Sequence, residues 1–226
     1  MGRAIRSYDE WLVYVFDHPV DHLKQAWYFD LDVPLWAAEP VAVSYLTRLF
    51  DDPIPAVAPY SDAQINQGFW FLLSNACSDH MFMLLEPRVP WPERQRCVEA
   101  MVNVFATLFA PRCAPKLSHL DEPGTTPLNS VCYMWFDLLP IYGGIKDDPV
   151  AVNRQLGPVM LDVMRRILDL ESVACCESAL HGLGHWQPYY PKQVVEIINA
   201  FLKKNPGLRP DTLRRYALAA RRGCVL

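Results

Sequence analysis

Apolar residues recur along most of the chain at the spacing of an α-helix. From Val98 to Phe109 they fall at i, i+3, i+4, i+7, i+10 and i+11, which forms one continuous stripe on a helix. The same spacing recurs from Val194 to Leu202. It recurs again after Asp211, where we expect Leu213, Tyr216, Ala217 and Ala220 to face inward. The pattern therefore predicts amphipathic helices that bury one face each.

The residues between these stripes favour helix ends rather than strands. Ser61 followed by Gln64 has the sequence of a capping box, and Ser7 followed by Glu10 has the same form. Prolines lie in most connections, and neither period-two alternation nor an Asn-Gly or Asp-Gly hairpin occurs. A minor strand near residues 27–31 stays open as an alternative. We predict an all-α fold of about nine to eleven helices, stacked as antiparallel pairs.

A run of apolar residues in the middle of the chain bears on domain organisation. The segment Val131 to Phe136 is apolar on every side, which is typical of a buried central helix. Several other helices are needed to surround such a helix, and this favours one domain over residues 1–226 rather than two small ones. The stretch at 114–127 is the best candidate for a loop or boundary.

Two phrases in the last third resemble HEAT-type helical repeats. They are Asp148-Pro149-Val150-Ala151-Val152 and Ala179-Leu180-His181-Gly182-Leu183-Gly184, the second followed by the amphipathic run at 194–202. The resemblance covers residues 148–204 and implies stacked helix pairs, as in an α-solenoid with a concave binding face. It implies no chemistry. Independently of it, Ala174, Ser178 and Gly182 form a small-residue strip that would let a neighbouring helix approach closely.

Composition and cysteine usage limit the classes of protein to consider. The chain has 226 residues, 51% of them apolar, and a net charge of -4, which argues against a disordered chain and against a general nucleic-acid binder. No apolar run reaches membrane-spanning length, so we expect no membrane insertion. The 7 cysteines show no C-x-x-C spacing, and we interpret them as buried, reduced thiols of a cytoplasmic protein.

Charge is distributed unevenly along the chain. Residues 192–226 hold eight basic and two acidic groups, so of the totals of 21 and 25 the other residues hold 13 basic and 23 acidic ones. The C-terminal segment is therefore net +6 and the rest net -10. Solvated helix faces account for such a pattern, and so does a surface that complements a charged partner. A basic C-terminal contact with acidic lipid or nucleic acid is a third interpretation.

The sharpest polar constellation is formed by Glu177, His181 and His185. Their i, i+4 and i+8 spacing places them on one helical face, but it also sets Glu177 ~12 Å along the axis from His185, which is too far for one metal ion. A His181–His185 pair with a distant third ligand remains geometrically open. The alternatives are a surface pair of Glu177 with His181, with His185 bonded near the helix end, and a binding face for a partner.

Aromatic residues follow directly in a turn that prolines bracket. Trp186, Tyr189 and Tyr190 could complete a binding face with the three polar residues, or they could cap the core between two helices. Cys77 and His80 are close enough in sequence to meet, yet we expect Ser78 or Asp79 to cap a helix that begins at His80 instead.

The leading functional prediction is a non-enzymatic module that binds a protein partner and needs no cofactor or metal. An inhibitor, such as a bacterial immunity protein that neutralises a toxin, would be one form of it. The basis is the absence of a phosphate loop, a nucleophile elbow or a Rossmann fingerprint, together with helix pairs and aromatic turns. The alternative is a metal-assisted hydrolase that uses His181 and His185, with Glu177 as a base. The sequence leaves the oligomeric state open.

Overall fold

Helices make up the regular structure of the protein. The computed structural model describes residues 7–21, 23, 25–30, 32–33, 36–207 and 210–225. This part of the chain contains ten α-helices and no strand, which confirms the predicted all-α class and helix number. The helices are α1 (Tyr8–Phe16), α2 (Val41–Asp51), α3 (Pro53–Val57), α4 (Asp62–Leu73), α5 (Trp91–Asn103, continued by the π-helical stretch Val104–Phe109 and the turn Ala110–Arg112), α6 (Pro127–Leu138), α7 (Leu156–Ile167), α8 (Val173–Trp186), α9 (Pro191–Lys204) and α10 (Asp211–Ala220).

Short 3₁₀ turns occupy several of the connections. They are Trp27–Phe29, His80–Leu84, Ser118–Leu120, Gly143–Asp147 and Asn153–Gln155. The first of them takes the place of the alternative strand, whose last residue, Leu31, lies outside the described residues.

The predicted helix ends are found where polar side chains satisfy free backbone N–H groups. Ser61 and Gln64 form the capping box of α4, with hydrogen bonds in both directions. The Ser7 hydroxyl accepts a hydrogen bond from the N–H of Glu10 at the start of α1. In α10 the buried residues are the four that the apolar spacing predicts.

The most deeply buried helix is α8. Twelve of the 14 residues of α8 are buried. The predicted central segment of α6, at 131–136, is also inside the molecule: Val131, Cys132, Trp135 and Phe136 are buried, and the two residues between them are partly buried. The packing partners of α8 are α6, α7, α9 and α10. The sequence conceals this position because α8 carries Glu177, Ser178 and His181, polar residue types that are usually exposed but are buried here.

The small-residue strip on α8 permits this close packing. The Ser178 hydroxyl donates to the carbonyl oxygen of Cys132 on α6. A Cβ atom added to Gly182 would lie 2.8 Å from Cβ of Phe136 and 2.8 Å from the sulfur of Met164. Such distances leave no room for a side chain, so α6 and α7 approach the backbone of α8 directly. The predicted role of the strip is therefore confirmed.

Helix direction follows from the contacts along α8. The thiol of Cys176 donates to the carbonyl oxygens of Leu168 and Leu170, and Gly182 meets Met164, so α7 and α8 run antiparallel. On α6, Cys132 meets Ser178 and Phe136 meets Gly182 of α8. Residue numbers therefore increase in the same direction along both helices, so α6 and α8 run parallel. Consecutive α7 and α8 thus form an antiparallel pair of the predicted kind. The two helices that pack in parallel, α6 and α8, are separated in the sequence by α7.

One continuous apolar core includes buried residues from α1 through α10. At its centre, the fully buried Trp135 of α6 lies among the rings of Phe50, Phe69, Phe105 and Phe109, at centroid distances of 5.4–5.7 Å. Residues 113–126 cross its surface as the predicted loop, interrupted by one 3₁₀ turn. Among the helices that the structure describes, none combines the length and the apolar character needed to cross a bilayer.

Candidate metal centre

Three side chains from two helices converge at one end of the α6–α8 interface. His181 and His185 lie one turn apart on α8, and Asp137 comes from the last turn of α6. Nε2 of His181 is 3.5 Å from one carboxylate oxygen of Asp137, and Nε2 of His185 is 3.4 Å from the other. Parallel packing of the helices produces this convergence, because it aligns the ends of α6 and α8.

The spacing of these atoms suits a metal ion better than direct hydrogen bonds. The donor atoms of Asp137, His181 and His185 all lie within 4.8 Å of one another. Ligands ~2.0–2.1 Å from a tetrahedral Zn²⁺ are roughly 3.3 Å apart, close to the two imidazole–carboxylate separations. An N–H···O hydrogen bond is shorter, typically ~2.9 Å. The three groups thus face a common point without bonding well to one another.

His181 is the most enclosed of the three residues. Its side chain is only 2% exposed, against 33% for Asp137 and 42% for His185. Nδ1 of His181 lies 2.7 Å from the hydroxyl oxygen of Tyr216 on α10. Nε2 is buried and has no hydrogen-bond partner among the described residues. An unsatisfied buried nitrogen costs free energy, so its position calls for an explanation.

The Tyr216 hydroxyl fixes the orientation of the His181 ring. It also lies 3.4 Å from the hydroxyl of Tyr133, whose ring packs against His181 at 4.4 Å between centroids. Burial, and then the contact with Tyr133, raise the pKa of Tyr216 well above its usual range, so the hydroxyl keeps its proton. A metal bound to Nε2 would place the imidazole proton on Nδ1, where the Tyr216 oxygen can accept it.

The electrostatics of the cluster keep its exposed members in the ligating forms. The pKa of the Asp137 carboxyl is lowered, first by the facing His181 ring and then by the charge of both imidazoles, against the opposing effect of partial burial. Partial burial lowers the pKa of His185, and Asp137 opposes that effect. A carboxylate and a neutral imidazole are the forms that bind a metal ion.

Glu177 lies apart from this cluster. It is completely buried, and its carboxylate accepts hydrogen bonds from the backbone N–H groups of Ser118 and His119, at 2.9 and 3.0 Å. Nδ1 of His119 is 2.6 Å from the same carboxylate, and the His119 ring stacks on Tyr216 at 4.0 Å between centroids. The predicted surface pair of Glu177 with His181 is therefore replaced by a buried contact with the 113–126 loop.

The six residues predicted to share a binding face differ in exposure. Glu177, His181 and Trp186 are buried, so direct contact with a partner is open only to His185, Tyr189 and Tyr190. Trp186 stacks on Tyr190 at 5.7 Å between ring centroids, at the junction of α8 and α9. A binding role for the set stays a prediction.

Sequence analysis missed Asp137. Its one sequence signal is that it is the single charged residue in the otherwise apolar stretch Val131–Leu139. Nothing in the sequence places that residue beside α8.

In the Cys77–His80 region, the polar side chains make hydrogen bonds that support the fold. His80 is fully buried, and its Nε2 accepts a hydrogen bond of 3.0 Å from the indole N–H of Trp11. The Ser78 hydroxyl accepts from the backbone N–H of His80 at the start of a 3₁₀ turn and also lies 3.0 Å from its Nδ1. Ser78 thus bonds the first N–H of the element that begins at His80, although this element is a 3₁₀ turn rather than the predicted helix. Burial and this pairing leave His80 without an open nitrogen for chemistry.

Searches against known protein families, curated proteins and solved structures found no match to this chain. The resemblance of residues 148–204 to HEAT repeats therefore stays a prediction.

Proposed function

We propose that the protein binds a divalent transition-metal ion through Asp137, His181 and His185. The observation that supports this most directly is the buried, unpartnered Nε2 of His181, aimed at a carboxylate and a second imidazole. A bound cation would give this nitrogen a partner. It would also neutralise the negative charge of the Asp137 carboxylate. In this proposal Asp137 is the distant third ligand that the sequence left open for the His181–His185 pair.

Two imidazoles and one carboxylate suit Zn²⁺, Fe²⁺ or Mn²⁺ more than Ca²⁺ or Mg²⁺, which prefer oxygen ligands. Three protein ligands leave at least one coordination position open, the arrangement of catalytic rather than structural zinc sites. The exposure of Asp137 and His185 gives water access to that position. We therefore propose metal-assisted hydrolysis as the reaction class, in which the ion activates a water molecule.

The structure offers no support for Glu177 as the base of this reaction. Its carboxylate is completely buried and is already an acceptor for the Ser118–His119 turn. Asp137, His181 and His185 are the chain's contribution to the site as proposed: they bind the ion, and Tyr216 orients His181.

Metal content tests the proposal. We expect untagged protein, loaded with Zn²⁺ and then dialysed, to retain about one ion per chain, and His181→Gln to weaken affinity by at least ~100-fold. Removal of the hydroxyl in Tyr216→Phe should weaken affinity by about 10-fold, because the orientation of His181 is less restricted. His18→Gln, which removes an imidazole just after α1 that contacts Tyr14 and Trp27, is the matched control and should leave affinity unchanged.

Elemental analysis and calorimetric titration measure these affinities. Retention of less than a tenth of an ion per chain, or equal Zn²⁺ affinity in the wild type and His181→Gln, would contradict the proposal. A urea-unfolding curve of each variant establishes that a loss of affinity does not reflect a loss of fold.

Binding of a protein partner stays the second candidate function, and inhibition of that partner is one form of it. Tyr142 is 58% and Tyr189 36% exposed, and their rings meet at 6.1 Å between centroids. The Lys146 amine lies 5.9 Å from the Tyr189 ring. Exposed tyrosines of this kind are enriched at interfaces, where they supply apolar area together with a hydroxyl group.

For the second candidate, we expect the chain to elute from cell extract as a stoichiometric complex in size-exclusion chromatography. Tyr142→Ser should release it, because the exposed ring is lost. Tyr60→Ser, which removes a tyrosine elsewhere on the molecule, is the control. Elution at the position of the isolated chain in wild-type extract would count against the candidate.

A further inference from the structure

A wide groove lies on the face of the molecule that α4, α6 and the 113–126 loop share. Its volume is about 1110 Å³, and its described walls come from Val20, Asp21, Ala26 and Tyr28 and from the ranges 63–70 and 118–134. This volume is sufficient for a small organic molecule. The groove ends at Tyr133 and Met134, and Asp137 lies one helical turn farther along α6.

Aromatic rings form part of the groove wall. Trp70, Tyr28 and Tyr133 all line it and are all partly exposed. The Tyr28 ring stacks on Phe71, and the Tyr133 ring packs on His181. Among the described residues the Trp70 indole stacks on no other aromatic ring, and the residue is partly exposed. The faces of an indole ring carry negative partial charge and attract cations.

The charged groups among the described residues of the wall are carboxylates. The side-chain oxygen of Gln67 is buried and has no hydrogen-bond partner among the described residues. Asp121 is exposed, and its carboxylate makes no hydrogen bond or ion pair within the parts of the chain that the structure describes. Glu122 adds a second carboxylate, of which one oxygen accepts from the N–H of Leu117. No lysine or arginine is among the described residues of the wall.

The loop that carries both carboxylates is held in a defined conformation. Glu177 binds its 3₁₀ turn from below through Ser118 and His119. Asp121 has a φ of 50° and Gly124 a φ of 89°, so the loop turns back sharply on both sides of Glu122. A preorganised loop loses little conformational entropy when a ligand binds.

We propose that this groove binds a small aliphatic ammonium compound, of the polyamine class, between the partly exposed ring of Trp70 and the carboxylates of Asp121 and Glu122. The N–H groups of such a ligand would donate to the Gln67 oxygen, to the Asp121 carboxylate and to the second carboxylate oxygen of Glu122. Its methylene groups would pack on the aromatic rings. The inference does not depend on the metal site, because none of its residues ligates the proposed ion.

Calorimetric titration of the full chain with spermidine, in buffer with EDTA, tests the inference. We expect saturable binding with a dissociation constant below about 1 mM. Asp121→Asn should weaken affinity about 5- to 10-fold, because it removes the charge while asparagine tolerates the positive φ. Trp70→Leu should weaken it by a similar factor through the loss of the ring face. Glu196→Gln, on the exposed face of α9, is the control for total charge and should have no effect.

Citrate serves as the anionic probe, and we expect it not to bind. Failure of spermidine to bind by about 1 mM, equal losses in Asp121→Asn and Glu196→Gln, or binding of citrate would each overturn the inference. EDTA removes metal from every titration, so a failed metal site leaves these results unchanged. If the Trp70→Leu chain proves unfolded by circular dichroism, the Asp121→Asn and Glu196→Gln pair decides the outcome, because both changes lie on the surface.

Discussion

Replacement of Glu177 with leucine is expected to lower the free energy of unfolding by about 3 kcal/mol. The carboxylate accepts from two backbone N–H groups and contacts one imidazole of the Ser118–His119 turn, and leucine can accept from none of them. The freed groups would lie against an apolar side chain at the base of the loop. Partial access to water limits the loss, since His119 retains 17% exposure.

Urea unfolding followed by circular dichroism measures this loss. Glu177→Gln keeps one carbonyl oxygen and should lose less, about 1–2 kcal/mol, because it can still accept from one N–H group. Glu171→Gln, at an exposed position just before α8, should change stability by less than about 0.5 kcal/mol. If Glu177→Leu unfolds at the same urea concentration as the wild type, the carboxylate has no structural role. Glu177 would then again be a candidate for the catalytic base.

Acidification from pH 7 to pH 4 is expected to remove about 3 kcal/mol of stability through His80 alone. Burial lowers the pKa of His80 from 6.5 to about 3 in the folded protein. The unfolded chain therefore takes up a proton as the pH falls through about 6.5, whereas the folded protein does not do so until about pH 3. Below 6.5 the unfolded state binds more protons, so stability falls, by ~1.4 kcal/mol for each further pH unit.

Urea unfolding at several pH values between 7 and 4 isolates this effect when the wild type is compared with His80→Phe. The variant keeps an aromatic ring but leaves the Trp11 N–H without its acceptor, so it should be less stable at pH 7. Its stability should then fall less steeply on acidification, and the two curves should converge. Parallel curves of unfolding free energy against pH would mean that His80 does not remain neutral in the folded state. The carboxylates do not affect this comparison, because both proteins contain the same ones.

The proposed metal ligands are attached to closely packed helices in the interior of the molecule. His181 and His185 extend from a helix that is buried on nearly all sides, and Asp137 extends from the helix packed directly against it. Gly182, between the two histidines, has no space for a side chain beside Phe136 and Met164. Sites built on packed helices hold their ligands with little freedom, which favours a fixed geometry over adaptable binding.

Local patterns in the sequence were sufficient for the elements themselves. The spacing of Leu213, Tyr216, Ala217 and Ala220 predicted the buried face of α10, and Ser61 with Gln64 predicted the start of α4. Both succeed because hydrophobic periodicity and capping depend on residues within one or two turns. The small residues of α8 likewise predicted a close helix contact, although the sequence did not identify the partner helix.

The sequence by itself thus determined an all-helical chain, the faces that its helices bury and the pairing of two histidines one turn apart. Tertiary structure alone decided that α8 is the most deeply buried helix, that Asp137 lies beside the histidine pair and that Glu177 contacts a loop nearly sixty residues away. The reason is physical: a helix forms from neighbours in sequence, whereas the partner of each face is selected by the shape and volume of side chains distant in the chain. Parallel packing of α6 on α8, permitted by Gly182 and Ser178, is the step that no local pattern encodes.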